Sequence, residues 1–462
     1  QPLNDQHTGQ SAPPFFLTAN AYLGAYPIAA ALDAGADIVI TGRVVDSAMT
    51  LGALIHEYRW KPDQLNKLAQ GSLAGHIIEC GAQATGGLFT DWQDVPDWAN
   101  IGYPIVSVSP DGSFEVSKPE GTGGLINKAV ATEQMLYEIS NPAHYALPDV
   151  VCDFTTVHIE DTAPNRVRIH GATGNAPSDA YKVCATYPDG FRCIGLLSIV
   201  GMDAAHKAHR TAQAILERTR SMFKRMGLAD YNRTHIDVLE GQGLTGNEAL
   251  LRLAITHPDK KGAALFSKEL APAGTSYAAG TSGNFGMGRP NVVPLVKLFS
   301  CFVPKRLQAP KVEVAGEPLP YTEPVHPVAE KNDGQSSSRT PGSKDEPELM
   351  KIKLPENLKG KRLIDIAHGR SGDKGNTSNI GLVARKPEYF ELMRAIASPS
   401  RVQRYLGHLV KGPVHSHALP QVQAINLVIE DALDGGGMAS MRNDPLGKGM
   451  AQLLLTMPLE YF

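Results

Sequence analysis

A stretch almost empty of large apolar side chains, HPVAEKNDGQSSSRTPGSKDEPE, lies between Tyr321 and Glu348. Ser, Pro, Gly and charge dominate it. It cannot bury enough apolar surface to offset the entropy of ordering, so it reads as a flexible linker. The folded parts must then lie on either side, at 15–320 and at 350–462. The second part, β-loop-β-helix-β in pattern, is large enough to fold alone.

Before the linker, helix and strand patterns alternate from Phe15 to about Val150. AYLGAYPIAAALDAGA, TLGALIHEYRW and QLNKLAQGSLAGHIIECGA carry helical spacing, and DIVITGRV is the short β-branched run of a buried parallel strand. Such alternation predicts an α/β fold, a mostly parallel sheet flanked by helices. From Cys152 to about Pro310 the pattern turns β-rich, with one amphipathic helix, MDAAHKAHRTAQAILERTRSMFKRMG, whose charges read as a solvated face. The expected architecture is therefore a parallel α/β sheet with a β-rich extension, followed by a small α+β domain.

Composition narrows the function classes. A formal charge of -3 leaves no basic footprint for nucleic acid or an anionic membrane surface. No apolar run reaches membrane-spanning length. Cys80, Cys152, Cys184, Cys193 and Cys301 are scattered without a CxxC pair, a usage that suits a reducing, cytosolic setting. The first residues, QPLNDQHTGQSAPP, lack the pattern of a secretory signal and read as a lead-in or as the interior of a longer parent. No flavin, nicotinamide, pyridoxal or transition-metal signature occurs, so no cofactor is expected.

Five stretches hold chemistry. In ITGRVVDSA a strand ends at Gly42, and Arg43, Asp46 and Ser47 follow at its mouth. Arg43 suits a carboxylate or phosphate and Asp46 suits proton transfer, whereas the bland alternatives are an Arg43–Asp46 pair or Asp46 as a helix cap. In GHIIECGAQATGGLFTDW, His76 and Cys80 stand four apart on one helical face, and Cys80 is either a thiolate nucleophile or a buried structural thiol. KPEGTGGLINKA sets Glu120 before a glycine turn, and GTSGNFGMGRPN offers Asn284 and Arg289 as an anion nest or a bare surface loop. His415 and His417 share a strand face, but no zinc spacing completes them with His368 or Asp373, and no metal site is assigned. Last, HGRSGDKGNTSNIGLVAR places Arg370, Ser371, Asp373 and Lys374 in a glycine loop between two strands. This matches no Walker phosphate loop and reads as an anion cradle or a salt-bridged tight turn.

ANAYLGAYPIAAALDAGADIVITGRVVDSA, GHIIECGAQATGG, PEGTGGLIN and IAHGRSGDKGNTSNIGLVAR together resemble the acyclic terpene utilisation protein A (AtuA-like) family. The resemblance implies an AtuA α/β domain followed by a smaller ferredoxin-fold domain. It also implies a place in acyclic terpene catabolism through acyl-CoA intermediates, beside an acyl-CoA carboxylase. Relatives carry an earlier α/β segment, so the resemblance further implies that the parent protein is longer, or that a partner or a second copy covers an open sheet edge, or that the family's site is incomplete here.

The functional expectation is acid/base chemistry of a hydratase, dehydratase or isomerase type on an anionic small molecule. Asp46 and Glu120 are the acid/base candidates and Cys80 the outside nucleophile. Arg43, Ser47, His76, Asn284, Arg289, Arg370, Ser371, Asp373 and Lys374 are the binding candidates. The alternative is a non-catalytic subunit or scaffold that docks a protein partner.

Overall fold

The computed structural model describes residues 3–241, 247–283, 288–324 and 354–461, so most of the expected linker lies outside the described residues. Two compact units emerge. One comprises Gln1–Ala19, Ala185–Phe299 and Asp434–Pro445, and the other Asn20–Cys184, Ser300–Leu433 and Leu446–Phe462. The division does not follow the linker, because most of the C-terminal part packs with the first 160 or so residues beyond Ala19 in a single unit.

In the second unit three helices come first: α1 (Tyr26–Asp33), α2 (Ala48–Tyr58) and α3 (Leu65–Glu79). All three were legible as helical spacing. Leu68, Ala69, Leu73, Ala74 and Ile77 of α3 are fully buried. Gly75 lets α3 touch the loop before α2, since a Cβ there would come within 2.8 Å of the Ser47 backbone. A fourth helix, α4 (Lys128–Leu136), starts at Asn127, whose side chain accepts from the Val130 N–H. The C-terminal part contributes a four-stranded sheet in the order Ala367–Lys374, Thr377–Ala384, Ala424–Ile429, Val414–Leu419. Its hydrophobic core contains Ile380, Leu382, Ile425 and Leu427 together with Met393, Leu454 and Leu455.

The first unit is built on α5 (Ala204–Met226). Ala208, Ala212, Ile215, Leu216 and Phe223 are buried at helical spacing and form a core with Leu197, Leu251, Leu253 and Ile255 of an antiparallel sheet. Gly227 ends the helix at φ +66°, a conformation that glycine adopts without a Cβ penalty. Two arginines of the same sheet hold the Asp434–Pro445 segment. Arg192 donates to the Met438 and Ser440 carbonyls, and Arg252 to those of Met441 and Arg442.

The expected mostly parallel sheet is not what forms. Every strand pair with a described register is antiparallel. The one parallel pairing among the described residues is the isolated bridge between Leu23 and Val44. The β-branched run Asp37–Thr41 is not a strand, and its Ile38 and Ile40 are 82% and 93% exposed. β-propensity describes how a side chain fits a pleated, half-buried surface, and it makes no strand where no neighbouring strand supplies that surface.

Candidate functional site

The site is assembled from α3, the end of α4 and the hairpin of Ala367–Lys374 with Thr377–Ala384. α4 stops at Leu136, and Glu138 follows with φ +58°, an uncommon backbone for a residue other than glycine. That turn aims the Glu138 carboxylate at two ammonium groups. Lys374 Nζ donates to Oε2 at 2.9 Å and Lys448 Nζ to Oε1 at 2.8 Å. Lys448 also donates to Asp373 Oδ1 at 3.1 Å and to the Tyr137 hydroxyl. Gly372 permits this closeness, because a Cβ there would fall 2.5 Å from Glu138 Cγ.

Solvent reaches the group, with side-chain exposure of 41% at Lys374 and 24% at Glu138. Its protonation states are nonetheless set by the neighbours. Burial works to raise the Glu138 carboxyl, but the Lys374 charge and the Lys448 hydrogen bond bring it down to about 2. Burial and the Lys374 charge lower His76 to about 4, so its imidazole is neutral near pH 7. His76 Nε2 lies 3.1 Å from the Met135 carbonyl oxygen and must carry the proton there, which leaves the lone pair on Nδ1. Burial raises the Asp373 carboxyl, with Lys448 opposing it. Burial works against the charge on Lys374, yet Tyr145, Glu138 and Asp46 outweigh it and raise its pKa.

The expected residues separate into three groups. Asp46, His76, Asp373 and Lys374 come together, with Ser47 against Gly75 beside His76. Arg43 stands at their edge, paired to Asp46 at 3.0 Å and lying over the Tyr22 ring. Cys80 is close enough for Glu138 to act on it, but burial and its hydrogen bond to Glu79 push the thiol up to about 12, which opposes a thiolate.

The second group is consumed by the interior. Arg370 forms a buried ion pair with Glu133 at 3.1 Å and donates to Gln134 Oε1 and the Gly87 carbonyl. Ser371 donates to the Gly447 carbonyl at 2.7 Å and accepts from the Ala451 N–H. The third group lies apart. Glu120 is exposed, with no described bond to the cluster, and the α4 start behind it is already occupied by Asn127 and by Asp161, which accepts from Lys128 N–H. Arg289 is exposed in the first unit, and Asn284 lies outside the described residues. His415 pairs with Glu430, and His368 with Asp91. Among the described residues, no three His, Cys, Asp or Glu side chains gather as a metal ion requires.

Sequence reasoning passed over Glu138, Tyr137, Tyr145 and Lys448. The first three sit in MLYEISNP and HYALP, which match no motif. Lys448 did carry a signal, a lysine flanked by glycines in LGKGM. A cavity of about 460 Å³ lies elsewhere in the unit, lined by residues of Leu23–Val44, including the exposed Ile38 and Ile40, and by Pro310–Ala315.

A family model described as "Acyclic terpene utilisation family protein AtuA" matches residues 2–314. A second, described as "AtuA ferredoxin-like domain", matches residues 361–460. No curated protein and no solved structure matches the chain. Among the described residues, no helix is long and apolar enough to cross a membrane.

Proposed function

We propose that this chain, which belongs to the acyclic terpene utilisation (AtuA) family, is an enzyme that moves protons on a small anionic substrate. The observation that carries this reading is one cluster in which a carboxyl is driven down to about 2 and an imidazole to about 4. Groups whose environments push their pKa values away from the ordinary range mark sites of acid/base work.

In this reading Lys374 anchors the substrate's carboxylate or phosphate. Its ammonium has three donors and its described hydrogen bond, to Glu138, uses one. Asp46 and the Nδ1 lone pair of His76 exchange the proton, and Glu138 holds Lys374 and Lys448 in place. The chemistry is that of a hydratase, dehydratase or isomerase, with a branched acyl-CoA or its free acid as substrate. Arg43 assists with the anion when it exchanges Asp46 for substrate.

The test is thermal stabilisation of the full chain by free CoA, branched acyl-CoAs and free branched acids. A ligand at about 100 times its dissociation constant adds about 2.7 kcal/mol. Stabilisation that is lost in Lys374→Met supports the reading, and a folded chain that responds to none of these ligands overturns it. The exposed Ile38 and Ile40 favour a second reading, a scaffold whose apolar run meets a protein partner. A scaffold is stabilised by that partner and not by small molecules.

A further inference from the structure

Just beyond the charged cluster the surface turns apolar. The last turn of α3, His76–Glu79, leads through Cys80 into the turn Gly81–Thr85. Gly81 has φ +57°, and the Tyr103 ring stands over it, 3.6 Å from where a Cβ would be. Tyr103 is 71% exposed. Gly87 packs on the same turn, against the Ala82 carbonyl, and the next residue, Leu88, is 64% exposed at φ +60°. Leu88 therefore holds an uncommon backbone conformation while presenting its isobutyl group to water, a cost with no return inside the fold. The turn is held from below by Arg370, which donates to the Gly87 carbonyl and pairs with Glu133. Arg370 also reaches the Gln83 carbonyl of the turn and stands on the same strand face as Lys374, four residues away, so the rim lies beside the ionic cluster.

We infer that Tyr103 and Leu88, on either side of the Gly81–Thr85 turn, form the subsite for the hydrocarbon part of the substrate whose anionic head Lys374 holds. The ligand class is an amphipathic acid: a carboxylate or phosphate at one end and an apolar chain long enough to leave the ionic cluster and cross the turn. This inference rests on the proposed anion site. The segment's own charge argues against an anionic membrane as the occupant, because the exposed Asp94 and Asp97 lie within it and would repel such a surface. Tyr103 suits a rim, having a flat apolar body and a hydroxyl that stays in water.

The experiment is calorimetric titration of the full chain with saturated and branched carboxylic acids of increasing length. In the wild type, affinity rises about two- to fourfold for each methylene that reaches the rim. In the double variant Tyr103→Ala, Leu88→Ala that slope flattens while the shortest acids bind as before, and Lys374→Met weakens acids of every length by one common factor. Both rim residues are exposed, so an unchanged melting temperature verifies the fold of the double variant. A slope that persists in the double variant, or a wild type that binds short and long acids equally, overturns the subsite and leaves the anion site standing. A wild type that binds no acid of any length overturns the proposed function itself.

Discussion

The strand Ala367–Lys374 carries two cations four residues apart, and each meets a glutamate from the α4 region. Arg370 meets Glu133, with side chains 3% and 0% exposed, while Lys374 meets Glu138, with 41% and 24%. The first pair is sealed and is held further by Gln134, Thr90 and the Gly87 carbonyl, with Arg370 Nε left buried without a hydrogen-bond partner among the described residues. The second is open to solvent and shared with a second lysine. A buried guanidinium stays charged and its partner cannot be removed cheaply, so Arg370 joins the family's two domains as structure. The open pair instead keeps the Lys374 ammonium and the Glu138 carboxylate charged while leaving them within reach of solvent and of an anionic ligand. The same hairpin thus supplies a weld at one end and a candidate site at the other.

The strongest way to break this contrast is Arg370→Met. It leaves Glu133 buried and unpaired and is expected to cost about 3–5 kcal/mol in urea unfolding. Replacing both members, Arg370→Met with Glu133→Leu, recovers most of that loss. A single variant within about 0.5 kcal/mol of wild type would show that the pair is no weld.

Glu138→Gln probes the open end. The carboxyl is depressed in the folded chain, so its contribution is full above about pH 4.5 and is lost as pH falls toward about 2. We expect the variant to lose about 2–3 kcal/mol at neutral pH and to show a flatter acid limb, read from unfolding free energies across that window. His76 contributes over a different range. Its folded pKa is lowered to about 4, so the folded state resists protonation and stability declines as pH drops from about 6.5. His76→Gln should abolish that decline, a change on the order of 2–3 kcal/mol. An NMR titration that places the imidazole near 6.5 would remove the prediction. The smallest effect on stability is at Cys80, whose raised thiol should react with a disulfide reagent on the order of a hundredfold more slowly than free cysteine at pH 8.

Much of the local structure was legible. Helical spacing located α1, α2, α3 and α5, and the strand–loop–strand reading of HGRSGDKGNTSNIGLVAR matches the hairpin Ala367–Lys374 with Thr377–Ala384. DIVIT was misleading for a physical reason. Alternating helices and β-branched runs report what a segment would do when paired to a neighbouring strand, and among the described residues no strand pairs with the run Asp37–Thr41. At the site, Asp46, His76, Asp373 and Lys374 were visible as unusual residues near glycines or at a predicted strand end. Glu138 was invisible, since nothing in MLYEISNP announces a left-handed turn between two lysines.

The sequence alone determined the kinds of group available, the helices and the hairpin that carry them, and membership of the AtuA family, because periodicity and motif order are local properties. Only the tertiary structure decided that Arg370 and Ser371 are spent in the interior while Lys374 faces water. Neighbours in one loop differ in this way because burial and partner choice depend on residues more than 200 positions away, such as Glu133 and Glu138, which no local pattern encodes.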